Sequence, residues 1–129
     1  MRLYYFHPDK KRVSTFPIGI GQQGWRTPLG TAKITTKREH PTWIPPKSIL
    51  ENYARNGEHI DKVWPPGPKN PLGTRAMNLS FPGESIVIHG SPYPMGIGVR
   101  SSRGCIRMWN SDVEQLFSWV SIGTQVRVI

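Results

Sequence analysis

The sequence holds one cysteine, Cys105, among its 129 residues. One cysteine excludes an internal disulfide framework, so cysteine usage says nothing of the redox compartment. Acidic residues are scarce: 8 Asp plus Glu stand against 17 Lys plus Arg, for a net charge of +9. That balance attracts polyanions, whether nucleic acid, anionic lipid or an acidic wall polymer. The basic residues are scattered singly, however, and no recognition-helix or zinc-finger pattern is present. A generally basic solvated surface therefore accounts for the charge as well as a polyanion site does. Long apolar runs are missing too, and none approaches the length of a transmembrane segment. With 36% hydrophobic residues, the chain is neither a membrane protein nor a disordered one. It has no internal repeat and no low-complexity segment. Its opening, Met1-Arg2-Leu3-Tyr4-Tyr5-Phe6, reads as a strand and not as the basic-then-apolar pattern of a secretory leader. That fits a domain trimmed from a longer precursor.

Turn formers are plentiful. Gly and Pro number 13 each, together a fifth of the chain, which argues against a helical bundle. The length suits one domain, 1–129, with a modest core. Residues 2–6 and 12–20 read as strands joined by the turn Pro8-Asp9-Lys10, with Pro17 marking an edge or a bulge. Gly19, Gly21 and Gly24 then release the chain into a loop. After the turn Thr27-Pro28-Leu29-Gly30, residues 31–36 alternate as a half-buried strand. Residues 75–80 and 85–89 are further strands, separated by Phe81-Pro82-Gly83-Glu84. Ser111 and Glu114 form a capping box for a helix whose apolar face is Val113, Leu116, Phe117 and Val120. Gly123 ends it as a left-handed cap, and residues 124–129 form a closing strand. About six strands and one clear helix make this mainly β: one domain, sandwich or barrel-like.

Between Arg38 and Gly73 seven prolines interrupt every run. A short helix over Ser48–Arg55 has Ser48 as N-cap and Glu51 three residues on. The rest of 38–73 is a long proline-rich insertion. Structureless stretches of this length are either functional or disordered. Trp43, Tyr53 and Trp64 favour order, because buried aromatics tie such loops down. The segment is read as an active-site lid.

Chemistry concentrates between Ile86 and Asn110. An apolar strand ends on His89, and Cys105 follows 16 positions later. A lone cysteine is most often a small buried hydrophobe, and a lone histidine at a strand end is usually structural. Metal ligation lacks support, because His7, His40 and His59 lie in unrelated segments and give no ligand spacing. The sharper reading is a cysteine acyltransferase. Gly104 allows a tight turn that exposes the sulfur, and the backbone N–H groups of Arg103, Gly104 and Cys105 can bind an oxyanion. His89 can take the thiol proton, and Ser102 can orient a backbone or ligand group. Arg103 and Arg107 favour thiolate by charge, so the thiol is expected to titrate below its ordinary value.

This stretch resembles the L,D-transpeptidase catalytic domain (YkuD-type), whose motif is His-Gly, a loop, then [Ser/Thr]-x-Gly-Cys-x-[Arg/Asn]. Here His89-Gly90 precedes Ser102-Arg103-Gly104-Cys105-Ile106-Arg107. The likeness runs upstream through F-P-I-G-I-G (16–21), T-P-L-G-T (27–31), H-P-T-W-I-P-P (40–46) and W-P-P-G-P-K-N-P-L-G (64–73), which look like the Gram-negative periplasmic branch. Nearly the whole chain is covered. Arg103 stands where His, Ser or Lys is frequent, and Ser91 where Thr is common.

The resemblance implies that Cys105 is the nucleophile and His89 the base, with the Gly90 carbonyl holding the other imidazole nitrogen. A carbonyl needs no particular side chain, so glycine is acceptable there. Substrate contact is assigned to Ser102, Arg107, Tyr93 and Trp43. No cofactor is implied. The implied substrate is the stem tetrapeptide of peptidoglycan, cut before its terminal D-alanine through a thioester. The implied acceptor is an amine of a second stem, a lysine of an outer-membrane lipoprotein, or water. The implied compartment is the periplasm, with no nucleic-acid partner. Two rivals come from other classes: a catalytically silent wall-binding module on the same fold, and a basic polyanion-binding domain. A thiol-reactivity assay separates the first, and salt-sensitive binding to nucleic acid exposes the second.

Overall fold

The computed structural model describes residues 1–21, 27–45, 47–83, 85–92, 100–102 and 105–129. In chain order its elements are β1 (Arg2–Phe6), β2 (Val13–Pro17), β3 (Ile20–Gly21), β4 (Gly30–Glu39), α1 (Lys47–Arg55), β5 (Arg75–Leu79), β6 (Ile86–Ser91), β7 (Arg100–Ser102), β8 (Ile106–Trp109), α2 (Asn110–Trp119) and β9 (Gln125–Val128). The architecture is mainly β with two helices. Its centre is a five-stranded sheet in the order β8-β6-β5-β4-β9. All its pairings are antiparallel except β6 with β8, which run parallel. A hairpin of β1 and β2 and a parallel β3–β7 pair complete the strands.

The hairpin turn is built by Asp9. Its Oδ1 accepts the N–H groups of Lys11 and Arg12, and its Oδ2 accepts the Arg12 Nε proton. One face of the five-stranded sheet carries the main core: Ala32, Ile34, Met77, Leu79, Ile86, Ile88, Ile106 and Met108, with Val113 and Leu116 of α2 laid over them. The hairpin closes this core with Phe16, and its Tyr5 ring stacks on Trp119 at 5.2 Å. Beyond β2, Gly19 exchanges two 2.8 Å backbone bonds with Arg107, so the chain there fastens onto the free edge of β8.

Several local expectations are corrected. The strand expected over 12–20 breaks after Pro17, and residues 19–21 are paired instead of loose; Gly24 lies outside the described residues. Strand β4 runs to Glu39 and so takes up the start of the proline-rich stretch. Helix α1 begins at Lys47, which puts Ser48 inside the first turn and not at the cap. Helix α2 begins at Asn110 directly out of β8, with Trp109 at the N-cap and no side-chain cap bond. The expected capping box does not form, because Glu114 Oε2 instead accepts the hydroxyl of Thr74 at 2.8 Å. Helix α2 also stops at Trp119, ahead of Gly123. Its last carbonyls are met by Lys37, whose Nζ donates to Phe117 O and Val120 O at 2.7 Å each. A cation there complements the negative end of the helix dipole. Gly123, at φ +96°, serves the turn into β9.

Candidate active site

Strand alternation builds the site. Side chains on a strand point alternately to its two faces. On β6, Ile86 and Ile88 enter the main core, so Val87 and His89 face the other way. On β8, Ile106 and Met108 enter the core, so Cys105 and Arg107 share the face of His89. The β6–β8 register pairs Ile88 with Ile106 and His89 with Arg107. Extended by one residue, it puts Cys105 opposite Val87. Cys105 is then two residues from His89 along a neighbouring strand, with Cα positions roughly 8 Å apart by strand geometry. A second, smaller cluster of Leu72, Ala76 and Val87 floors this face, and Trp43 and Cys105 pack against it.

His89 is buried, and its Nδ1 lies 2.6 Å from the Gly90 carbonyl oxygen. A carbonyl only accepts, so Nδ1 carries the proton and Nε2 keeps its lone pair. Burial pushes the imidazole pKa down to about 4; the Gly90 bond opposes this and the charge of Arg107 adds to it. His89 is therefore neutral, and able to accept a proton, across the physiological range.

Cys105 is half-buried, its Sγ 3.9 Å from the Ser85 carbonyl oxygen. Burial pushes the thiol pKa up, against the Val87 N–H and the positive charge of Arg107, which both lower it. The expectation of a depressed thiol pKa is thus reversed for the described surroundings. Removal of the sulfur from water outweighs one half-buried guanidinium. The raised thiol and lowered imidazole pKa values both favour a neutral pair on this face over a preformed ion pair.

Behind the Gly90 carbonyl the packing is close. An ideal Cβ on Gly90 would collide with Asn110 Oδ1 and lie 3.1 Å from Val113 Cγ1. A side chain at 90 would thus have to displace Asn110, so glycine there is more than merely acceptable. Gly73, at φ +65°, abuts both Gly90 and Asn110.

The 38–73 segment is ordered around Asn70, which is 1% exposed. Its Nδ2 donates to the carbonyls of Pro41, Trp64 and Pro65, and its Oδ1 accepts the Leu72 N–H. Trp43 and Trp64 exchange backbone bonds of 2.9 and 2.8 Å, and their rings meet edge to face at 5.6 Å. Together with Ile49, Tyr53 and Ile60 they help to line a cavity of about 250 Å³.

Of the residues singled out by sequence, Cys105, His89, Gly90, Arg107 and Trp43 come together on this face. Ser102 closes β7, and its side chain lies outside what is described. Tyr93, Arg103 and Gly104 also lie outside the described residues. Gly73, Asn70 and Asn110 were missed. The run Asn70-Pro71-Leu72-Gly73 carries a turn signal, but nothing local pairs it with Gly90 or Asn110.

A family model described as the L,D-transpeptidase catalytic domain, YkuD, matches residues 1–128. The probable L,D-transpeptidase ErfK/SrfK of Escherichia coli K12 is 44% identical over 130 residues, a match covering 100% of this chain and 41% of that protein. The probable L,D-transpeptidase YcfS of the same strain is 41% identical, again over 100% of this chain and 41% of its own length. The chain thus spans about two fifths of these relatives. Among solved structures, the Ldtfm–avibactam carbamoyl enzyme superposes with a TM-score of 0.70 at 22% identity, covering 99% of this chain and 44% of that one. The catalytic domain of an E. faecium L,D-transpeptidase acylated by ertapenem gives 0.64 at 23% identity, covering 93% and 84%. At these identities the structural likeness concerns the fold.

Proposed function

The chain belongs to the L,D-transpeptidase catalytic-domain family, and on that premise we propose that it is a peptidoglycan L,D-transpeptidase with Cys105 as nucleophile and His89 as general base. The observation that carries the reading is the buried His89, bonded through Nδ1 to the Gly90 carbonyl and set on the same sheet face as Cys105. In that tautomer Nε2 is the proton acceptor, and the carbonyl takes the orienting part that a carboxylate plays in a triad.

Cys105 attacks the carbonyl before the terminal D-alanine of a stem tetrapeptide. The S–C bond forms as the thiol proton passes to His89 Nε2. The backbone N–H of Cys105, with those of Arg103 and Gly104, stabilises the oxyanion. The C–N bond then breaks, the proton goes from His89 to the departing amine, and D-alanine leaves a thioester. An amine of a second stem, or a lysine of a lipoprotein, attacks that thioester and restores the thiol; water as acceptor gives carboxypeptidase activity. Because thiol and imidazole both start neutral, proton transfer accompanies attack. Arg107, Ser102, Tyr93 and Trp43 contact the substrate, and the 38–73 segment covers it. The site belongs in the periplasm, where the stems are.

The test is incubation with a purified tetrapeptide stem, followed by mass spectrometry. Loss of D-alanine with a dimeric or hydrolysed product is expected from the wild type, and neither from Cys105→Ala. His89→Ala should retain the fold and lose about 10²–10⁴ of the acylation rate. An intact tetrapeptide, together with no carbapenem adduct on Cys105, would promote the silent wall-binding module.

A further inference from the structure

The Gly90 carbonyl holds the His89 imidazole, yet glycine is the residue least able to fix its own backbone. Something else must aim that carbonyl. The side chain of Asn110 stands where it can. Its Oδ1 occupies the space that a Cβ on Gly90 or on Gly73 would need. The same oxygen accepts the Thr74 N–H at 3.1 Å. A backbone N–H requires an acceptor, which identifies the oxygen, and not the amide nitrogen, as the atom facing this gap. Asn110 is the first residue of α2, whose Val113 also presses on Gly90, so the oxygen is carried by a rigid element. That oxygen is turned toward the sheet, to the residue just before β5.

We propose that Asn110 is a positioning residue for the proposed base: its amide oxygen, anchored by the Thr74 N–H, clamps the Gly90 peptide unit and so keeps His89 in its Nδ1–H form. Gly73 abuts both the Gly90 backbone and the Asn110 oxygen and so completes the clamp. Absence of a side chain at positions 73 and 90 is what lets one oxygen reach both backbones. The inference rests on the reading of His89 as base, because only then does the tautomer matter to the reaction.

The experiment compares wild type with Asn110→Ala, Asn110→Asp and His89→Ala in the whole domain. Nitrogen-15 spectra of the imidazole, assigned by the signal lost in His89→Ala, report the tautomer without any need of activity. Carbapenem acylation of Cys105 is followed in parallel. Asn110→Ala should give mixed tautomer signals and acylate about tenfold more slowly. Asn110→Asp should restore both, since a carboxylate oxygen can accept the same N–H. If Asn110→Ala does not fold, Asn110→Ser, whose hydroxyl is too short to span the gap, serves for it. A wild-type tautomer in the Ala or Ser variant overturns the proposal, even if acylation falls. Acylation unchanged in His89→Ala overturns the base assignment instead, and leaves the tautomer result to decide the role of Asn110.

Discussion

Gly73 and Gly90 meet so closely that an ideal Cβ on Gly73 would lie 2.5 Å from the carbonyl carbon of Gly90. Backbone cannot yield there without moving the carbonyl that holds His89. Gly73→Ala also meets the left-handed penalty at φ +65°. It should cost about 2–4 kcal/mol of stability from strain and overpacking together. Gly83→Ala is the control: its φ is +75°, but nothing lies within 4 Å of its Cβ, so only the backbone term of about 1 kcal/mol remains. Urea midpoints at unchanged slope measure both. Equal losses would show that the contact with Gly90 carries no cost.

His89 makes stability depend on pH. Its folded pKa of about 4 lies below the ordinary 6.5. Between those values the unfolded chain binds a proton that the folded chain refuses. Stability therefore rises with pH through this window. The contribution is fully present above the unfolded value and is lost as pH falls to the folded one. Its size is about 3 kcal/mol. His89→Gln removes the titration, so its urea midpoint should change less than that of wild type between pH 4 and pH 7, the range spanning both values. Parallel profiles would show that the imidazole is not held neutral by burial.

Cys105 should be a slow thiol toward simple electrophiles. Burial raises its pKa more than Arg107 and the Val87 N–H lower it. The pH profile of iodoacetamide alkylation, read by intact mass, should have its midpoint above the ordinary thiol value. Arg107→Gln should move it further up, because a favourable charge is lost. A midpoint below the ordinary value would show that positive charge, not burial, governs this sulfur.

Asn70 should govern the order of the segment it ties together. Its side chain satisfies three carbonyls and one N–H while almost wholly buried. Asn70→Ala leaves those groups short of partners, at about 1–3 kcal/mol. Limited proteolysis should then cut within residues 41–71, and tetrapeptide turnover should fall by more than global stability does, as expected if the segment positions substrate. Unchanged cleavage and turnover would make Asn70 a local tie only.

The mainly β fold was legible because short strand patterns are local signals: Ile86-Val87-Ile88 is a continuous apolar run, and the closing Gln125–Val128 alternates. The short strands β7 and β8 were not, since three or four residues beside glycine turns are too few to establish a period. Ser111 and Glu114 have the spacing of a capping box, but tertiary contact claimed Glu114 for Thr74. Gly123 looked like a helix stop, while the real stop is a lysine 80 residues or more away in sequence, Lys37. At the site, His89-Gly90 and Gly104-Cys105 stand out as residue types. Asn110 does not, because its role depends on two glycines brought beside it only by the sheet. The thiol was misjudged for a related reason: charge can be read along the chain, and burial cannot.

The parallel pairing of β6 with β8 has a consequence for the life of the chain before it is folded. Antiparallel neighbours can zip from a tight turn, but a parallel pair must wait for its crossover to close. Here β6 and β8 can pair only after the chain between Ser91 and Ile106 has closed into a loop, which brings Cys105 level with Val87. That closure is entropically costly. Until then Cys105 stands apart from His89, which lies on β6, an antiparallel partner of β5 that can form first. If Cys105 and His89 act as proposed, acyl-transfer competence arrives only once β8 has joined β6, so a chain that has not finished its sheet would lack assisted attack on a stem or an acylating inhibitor.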